Sequence, residues 1–299
     1  MRAFVLVVGE RDLDEASDVL WQLGVRAIEE RTGTDGSIEL WTAVGDEPEA
    51  IERAVAAVAR RWHHRVVEVA DEPAQTWREH VAPMHVDDDL VVVPAWLDAQ
   101  LPAGATAVYV EPGGAFGLGD HPTTMLSLRA LRQLLDAAGD GIDVIDVGCG
   151  TGVIAVVAAV LQSRRHDQTE VQPADRAVRA IDVASAAIEA TLDNARRNGV
   201  GGLVLADTTE LSDIDGDYDL VVANILAPVL VSLAADLRRV TRPRGRLVVS
   251  GILAGAHQHV LDALAPMRVE RTDEIDGWAC VVLRHPSPGE AVDLGGEGE

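Results

Sequence analysis

Lysine is absent from this sequence of 299 residues, and all 25 basic side chains are arginine. A Walker-type phosphate loop and a Schiff-base enzyme both need a lysine amine, so both are excluded. Positive charge is scarce as well: 49 acidic residues stand against those 25, for a net charge of −24. Nucleic-acid binding through a basic face is disfavoured, because phosphate contact gains from counterion release only where positive charge is offered. A basic protein is the easier partner. Cysteine is limited to Cys149 and Cys280, far apart and in no CxxC spacing, so neither a disulfide framework nor a zinc cluster follows. Long apolar runs are missing too. The longest stretch low in charge, Val147 to Leu161, has 15 residues and three glycines, short of the roughly 20 that a spanning helix requires. The opening apolar stretch is broken by Glu10 and Arg11 before it reaches signal-peptide length. The expectation is a cytoplasmic protein with no resident metal and no membrane contact.

With 47% hydrophobic residues, the chain can bury a core, and its length suggests about two domains. Residues 1–72 alternate as strand, helix, strand, strand, helix, strand. Leu13, Ala16, Val19, Leu20 and Leu23 recur at helical spacing, and Pro48 opens a second helix carrying Ile51, Ala54, Val55 and Val58 on one face. This order predicts a small N-terminal ferredoxin-like α+β domain. His63 and His64 follow Trp62 where a helix end is expected, and they read as a solvated cap. Residues 73–100, with Pro73, Pro83, Pro94 and the acid run Asp87 to Asp89, read as a linker and a lead-in strand over Leu90 to Val93. Over 101–285, strands and helices alternate, which predicts a doubly wound, mostly parallel α/β sheet of Rossmann-like type. Strands are expected at 143–147, 178–183, 203–206, 218–223, 246–251 and 277–284, and helices near 122–138, 151–161, 185–198, 227–240 and 255–265. The runs Met267 to Arg271 and Trp278 to Leu283 lie too close for a crossover helix, so the last strand should pair antiparallel. The polar segment 162–177 reads as a surface insertion, and 286–299 as a disordered tail.

The strongest chemical signal is VIDVGCGTGVIAV, a buried strand followed by Gly148, Gly150 and Gly152 and then an apolar helix. Glycines at this spacing let the backbone turn sharply and approach a ligand without Cβ atoms in the way. Gly150, Gly152 and Ala155 also satisfy GxGxxA, so the turn alone does not choose between a dinucleotide and S-adenosylmethionine. Asp182, at the end of the next strand, can hold a ribose of either. The segment YDLVVANILAP does discriminate, because Asn224 puts a carboxamide at the carboxyl edge of a strand, where ligands bind in such sheets. That amide can accept a hydrogen from an amine and aim its lone pair at a methyl donor. A plain helix cap is the alternative use of Asn224. Upstream, EPGGAFGLGDHPTT brings four glycines, Phe116, Asp120, His121 and two threonines ahead of a helix opened by Pro122.

The stretches PGGAFGLGDHPTT, DVGCGTG, NARRNGV, DLVVANILAPVL and GRLVVSGIL, in this order over roughly 76–284, resemble the bacterial ribosomal protein L-eleven methyltransferase family. The resemblance implies a class I methyltransferase domain that takes S-adenosylmethionine and modifies amino groups of a ribosomal protein recognised by the N-terminal domain. By motif, Thr124, Gly148, Gly150, Asp182, Asn224 and Phe116 become cofactor contacts, and Asn224 the residue that orients the nucleophile. The chain departs from the family in three places. The insertion at 162–177 sets Asp182 an unusual distance from the glycines. Asp120 stands where the family usually has threonine, and VASAAI after Asp182 lacks the usual second acid and proline.

The resulting expectation is a monomeric protein N-methyltransferase acting on a lysine side chain or N-terminal amine of a basic large-subunit ribosomal protein. The alternatives are an NAD-dependent oxidoreductase, a non-catalytic cofactor-binding relative and a small-molecule N-methyltransferase. Because the chain has no lysine, self-methylation is limited to its terminal amine.

Overall fold

Each strand of this protein sends alternate side chains to opposite faces, so the apolar pattern decides which layer each residue joins. The computed structural model describes residues 2–9, 12–23, 25, 28–33, 37–45, 48–68, 82–111, 121–138, 141–166 and 178–286. Its contacts divide the chain into two compact units, Met1–Val81 and Ala82–Glu299.

Among the described residues, the first unit is a four-stranded sheet with two helices. The strands are β1 (Arg2–Val8), β2 (Ile28–Thr32), β3 (Ile38–Thr42) and β4 (His63–Glu68), and the helices are α1 (Leu13–Gln22) and α2 (Pro48–Val58). The sheet order is β2-β3-β1-β4 with every neighbour antiparallel, as a ferredoxin-like fold requires. Phe4, Leu6 and Val8 alternate inward along β1 and pack with Ala16, Leu20, Leu40, Ala54, Val58 and Trp62. One local expectation fails here. His63 and His64 belong to β4 and not to a helix end, because α2 stops at Val58 and the two histidines pair with Val7 and Leu6 of β1. The His64 ring stacks on Phe4 at 5.8 Å.

In the second unit, the segment read as a linker and lead-in strand carries β5 (Met84–His85) and β6 (Leu90–Pro94), joined in one sheet by β7 (Thr106–Val110). All five residues of β6 are buried, and this small sheet shares one core with the helix Pro122–Ala138.

The main sheet has seven strands: β8 (Val144–Val147), β9 (Val178–Ile181), β10 (Val204–Asp207), β11 (Tyr218–Asn224), β12 (Thr241–Leu253), β13 (Arg268–Ile275) and β14 (Trp278–Arg284). Its order is β10-β9-β8-β11-β12-β14-β13, parallel except for β14, which runs antiparallel to both neighbours. Asp276 and Gly277, both at positive φ, close the two-residue turn between β13 and β14, the backbone geometry a tight hairpin favours. The α-helices among the described residues of this unit are α3 (Pro122–Ala138), α4 (Val153–His166), α5 (Ser185–Arg197), α6 (Ala227–Val240) and α7 (Gln258–Ala263), with a short 3-10 turn at Leu211–Asp213. The first residues of the expected insertion continue α4 as far as His166, and 167–177 lie outside the described residues.

Strand alternation builds two cores. Val144, Val178, Leu220, Val222 and Val248 meet residues of α3 and α4 on one face. Ile145, Val147, Val221, Ala223, Leu247 and Val249 meet α6 and α7 on the other. Between β8 and β11 the winding reverses, so the carboxyl ends of these two strands flank the crevice where such sheets take ligands. Among the described residues, no helix is long and apolar enough to cross a membrane.

Candidate active site

The glycine turn leaves β8 under tight constraint. The N–H groups of Gly148 and Cys149 both donate to the Ile181 carbonyl of β9, at 2.8 and 3.0 Å, and Gly152 N–H donates to Cys149 O at 2.7 Å. Gly148 has φ +74, and a Cβ there would stand 2.4 Å from Ile225 Cγ2. Any side chain would therefore push the turn away from the segment that follows β11. Burial, with the Asp146 charge beside it, raises the Cys149 thiol well above its ordinary pKa, which disfavours the thiolate.

Two carboxylates flank the turn. Asp182 lies just past β9, where its Oδ2 accepts Gly150 N–H at 3.0 Å and its Oδ1 accepts Ala184 N–H at 2.9 Å. The long segment before β9 therefore does not displace Asp182 from the glycines. Val183 follows it with its side chain 94% exposed, an apolar surface laid open beside a charged one. Asp146, within β8, is 1% exposed. Its Oδ2 accepts Ala155 N–H at 3.1 Å, satisfying one of the free amides at the start of α4. Its Oδ1 has no hydrogen-bond partner among the described residues. Burial raises the Asp146 carboxyl pKa to about 7, the Asp182 charge adds to the rise, and the Ala155 amide opposes it. A buried acid with an orphaned oxygen is a place prepared for a donor or a cation.

Across the crevice, Asn224 ends β11 in register with Ser250 of β12. It does not cap α6: the N-cap there is Leu226, with no side-chain capping bond. Asn224 Nδ2 instead points to Thr124 Oγ1 at 3.5 Å, which leaves Oδ1 as an acceptor. Thr124 is 4% exposed in the first turn of α3. That turn begins with His121, whose Nδ1 accepts the Thr123 amide at 3.3 Å and lies 2.8 Å from Thr123 Oγ1. The His121 ring meets Trp278 edge-on at 4.9 Å. Below Asn224, Ser250 Oγ donates to Ala279 O at 3.1 Å and approaches Thr123 O at 3.3 Å, tying α3, β12 and β14 together.

Of the residues singled out from the sequence, Thr124, Gly148, Gly150, Asp182 and Asn224 therefore converge on one crevice. Phe116 and Asp120 lie outside the described residues. Asp146 was overlooked, although an acid set between apolar residues in VIDV signals a buried charge that must serve something. Among the described residues, no three His, Cys, Asp or Glu side chains gather as a metal ion would need.

Over residues 29–286 the chain matches the family described as Ribosomal protein L11 methyltransferase (PrmA). A protein named ribosomal protein L11 methyltransferase from Chromohalobacter salexigens is 35% identical over 274 residues, 84% of this chain and 85% of its own length. Another of that name, from Exiguobacterium sp., is 34% identical over 223 residues, covering 73% of this chain and 67% of the relative. Among solved structures, a ribosomal protein L11 methylase from Lactobacillus delbrueckii subsp. bulgaricus aligns with a TM-score of 0.59 at 27% identity, over 69% of this chain and 100% of that one. The match takes in the glycine turn, Asp182 and the Asn224 segment alike, and it extends back into the N-terminal unit: the chain belongs to the ribosomal protein L11 methyltransferase family.

Proposed function

We propose that this chain transfers a methyl group from S-adenosylmethionine to an amino group, a lysine side chain or an N-terminal amine, of a basic large-subunit ribosomal protein. It does so as a monomer in the cytoplasm, and its N-terminal unit recognises the protein substrate. Family membership removes the nicotinamide alternative. The crevice fits the methyl donor on its own terms. Asp146 Oδ1 is buried and without a partner among the described residues, which suits a cationic group, and Asp182 keeps lone pairs for hydroxyls. Val183 offers an exposed apolar face, and the missing Cβ at Gly148 lets the turn lie close against Ile225, just past Asn224. Thr124, Gly148, Gly150 and Asp182 would hold the donor, with Phe116 as a further contact carried by motif. When bound, S-adenosylmethionine supplies an electrophilic methyl group on a positively charged sulfur.

The observation that carries this reading is Asn224, whose Nδ2 is turned to Thr124 and whose Oδ1 is left as an acceptor at the crevice. An amine nitrogen attacks only with its lone pair free, yet a lysine amine has an ordinary pKa near ~10.4 and arrives charged. A crevice that excludes water disfavours the cation and helps release the proton. An amide carbonyl then accepts one remaining N–H and turns the lone pair forward, without the full negative charge that would hold the ammonium form. Most of the rate enhancement comes from this positioning.

The test is incubation of the full chain with methyl-labelled cofactor and a mixture of ribosomal proteins, with mass spectrometry locating the label. Asn224→Ala should slow transfer by about 100-fold while binding of S-adenosylhomocysteine stays within a few-fold. Label found at no amine, or full activity in Asn224→Ala, overturns the reading.

A further inference from the structure

The NARRNGV stretch carries two asparagines four residues apart, Asn194 in the last turn of α5 and Asn198 at its C-cap, and their carboxamides act as a substitute strand. Asn198 Oδ1 accepts Tyr109 N–H at 2.8 Å and its Nδ2 donates to Tyr109 O at 2.7 Å. Asn194 repeats the pattern two residues on, accepting Glu111 N–H at 2.8 Å and donating to Glu111 O at 2.8 Å. The spacings agree, because four helical residues rise about 6 Å and two strand residues about 6.6 Å. The two asparagines then differ in one bond. The second Nδ2 hydrogen of Asn198 goes to Asn194 O in its own helix, at 2.8 Å. That of Asn194 goes to Thr151 O in the glycine turn, at 3.0 Å.

We propose that Asn194 is a positioning residue for the cofactor site, its carboxamide holding the glycine turn at Thr151 against the chain at Glu111. The proposal rests on the reading that this turn holds the methyl donor. Residues 148–152 contain three glycines at positive φ, a conformation with a high ordering cost and few side chains to hold it. Ile181 and Asp182 hold the turn's N–H groups, and the restraint on its carbonyls comes from one face of α5. Thr191 Oγ1 donates to Gly150 O at 3.3 Å, and its side chain lies 2.6 to 2.8 Å from where a Cβ on Gly152 would stand. Asn194, 1% exposed and one turn further on, grips the next carbonyl. A turn ordered beforehand spares the ligand the cost of ordering it. Asn198 makes the same strand grip and does not touch the turn, so it contributes to the fold and not to cofactor affinity.

The experiment compares wild type, Asn194→Asp, Asn198→Asp and Thr191→Val in the full chain. Asn194→Asp keeps shape and acceptor but turns a carboxylate toward Glu111 O and Thr151 O. Calorimetry with S-adenosylhomocysteine should show Kd rising at least about tenfold in Asn194→Asp and several-fold in Thr191→Val, but within about twofold of wild type in Asn198→Asp. At saturating cofactor, kcat of Asn194→Asp should stay within about threefold of wild type, a KM effect that general loosening does not produce. Without cofactor, amide hydrogen exchange at Gly150 and Gly152 should quicken in Asn194→Asp and Thr191→Val and not in Asn198→Asp. Equal cofactor losses in the two asparagine variants, or wild-type affinity in Asn194→Asp, overturn the proposal. If Asn194→Asp does not fold, Thr191→Val against Asn198→Asp makes the same comparison. Absence of heat with the wild type refutes the cofactor reading instead, and the exchange rates then decide on their own whether Asn194 holds the turn.

Discussion

Gly251→Ala should damage stability and catalysis together, although residue 251 contributes no functional group. Gly251 sits at φ +82 in β12, between Val249 and Ile252, where the register with β14 shifts. An added Cβ would stand 2.5 Å from Ile225 O, 2.9 Å from Ile225 C and 3.1 Å from Ile225 N. These are backbone atoms that no rotamer change can move aside. Ordinary contact begins at 3.4 Å, so the Ile225 peptide must retreat by roughly 0.9 Å. That retreat strains the bond from Ile225 N–H to Ser250 O, now 3.2 Å, and carries Asn224 with it. The positive φ costs an alanine about 1–3 kcal/mol, and the lost hydrogen bond about 1 kcal/mol more. A total near 2–4 kcal/mol lowers Tm by roughly 5–15 °C in a domain of this size. If Asn224 orients the nucleophile as proposed, a displacement near 1 Å there should slow transfer by about 100-fold. The assay pairs thermal unfolding by circular dichroism with methyl transfer at a temperature where the variant stays folded. Gly255→Ala is the control, since Gly255 has φ +73 and nothing within 4 Å of a Cβ: it should lose stability alone. Wild-type Tm and rate in Gly251→Ala would refute the argument, as would an equal loss of activity in Gly255→Ala.

The Asp146 carboxyl, raised to about 7 in the fold, should make the cofactor-free protein less stable as pH rises. Its stabilising contribution is full below the unfolded value near 3.8, is lost as pH rises through about 7, and disappears in Asp146→Asn, as urea unfolding at several pH values would show. Near neutral pH, a cation arriving at Oδ1 lowers that pKa, so cofactor binding should release a proton; calorimetry in buffers of different ionisation enthalpy would reveal its absence. Asn224→Asp should move the pH–rate profile to higher pH, because a carboxylate beside the amine favours its charged form; an unshifted profile argues against the amide's role. Arg242 bridges Asp143, Asp217 and Asp219 at 2.6 to 2.8 Å, and these hydrogen bonds raise its already high pKa. Arg242→Ala leaves three carboxylates facing one another, so it should lower stability by about 1–2 kcal/mol, discounted for exposure, with partial recovery in high salt. Unchanged urea midpoints in low salt would contradict this.

How legible each element was depended on how local its cause is. Helices α3 and α6 stand where apolar spacing and the nearby prolines Pro122 and Pro228 put them, because a helix closes its hydrogen bonds within its own segment. The glycine turn was readable for the same reason, as was the antiparallel pairing of the last two strands, though the Asp276-Gly277 corner between them was not. Strand limits were less so. Expected over 246–251, β12 runs from Thr241 to Leu253, because its ends are set by pairing with β11 and β14 and not by its own composition. The short sheet of β5, β6 and β7 showed only its buried middle strand for the same reason. Asn194 and Asn198 stood out in the sequence only as part of a motif, since their partners lie 83 and 89 residues away.

The amino-acid order alone was enough for the chemistry on offer, namely a glycine turn of ligand-binding type, a carboxylate at one strand end and an amide at another, since each depends on a few adjacent residues. It could not say which of these would meet. Asn224 and Thr124 are 100 residues apart, and Asp146 becomes a buried, half-satisfied acid only once α4 closes over β8. Those encounters follow from sheet order and from which face of each strand is covered, and such packing is a property of the whole chain.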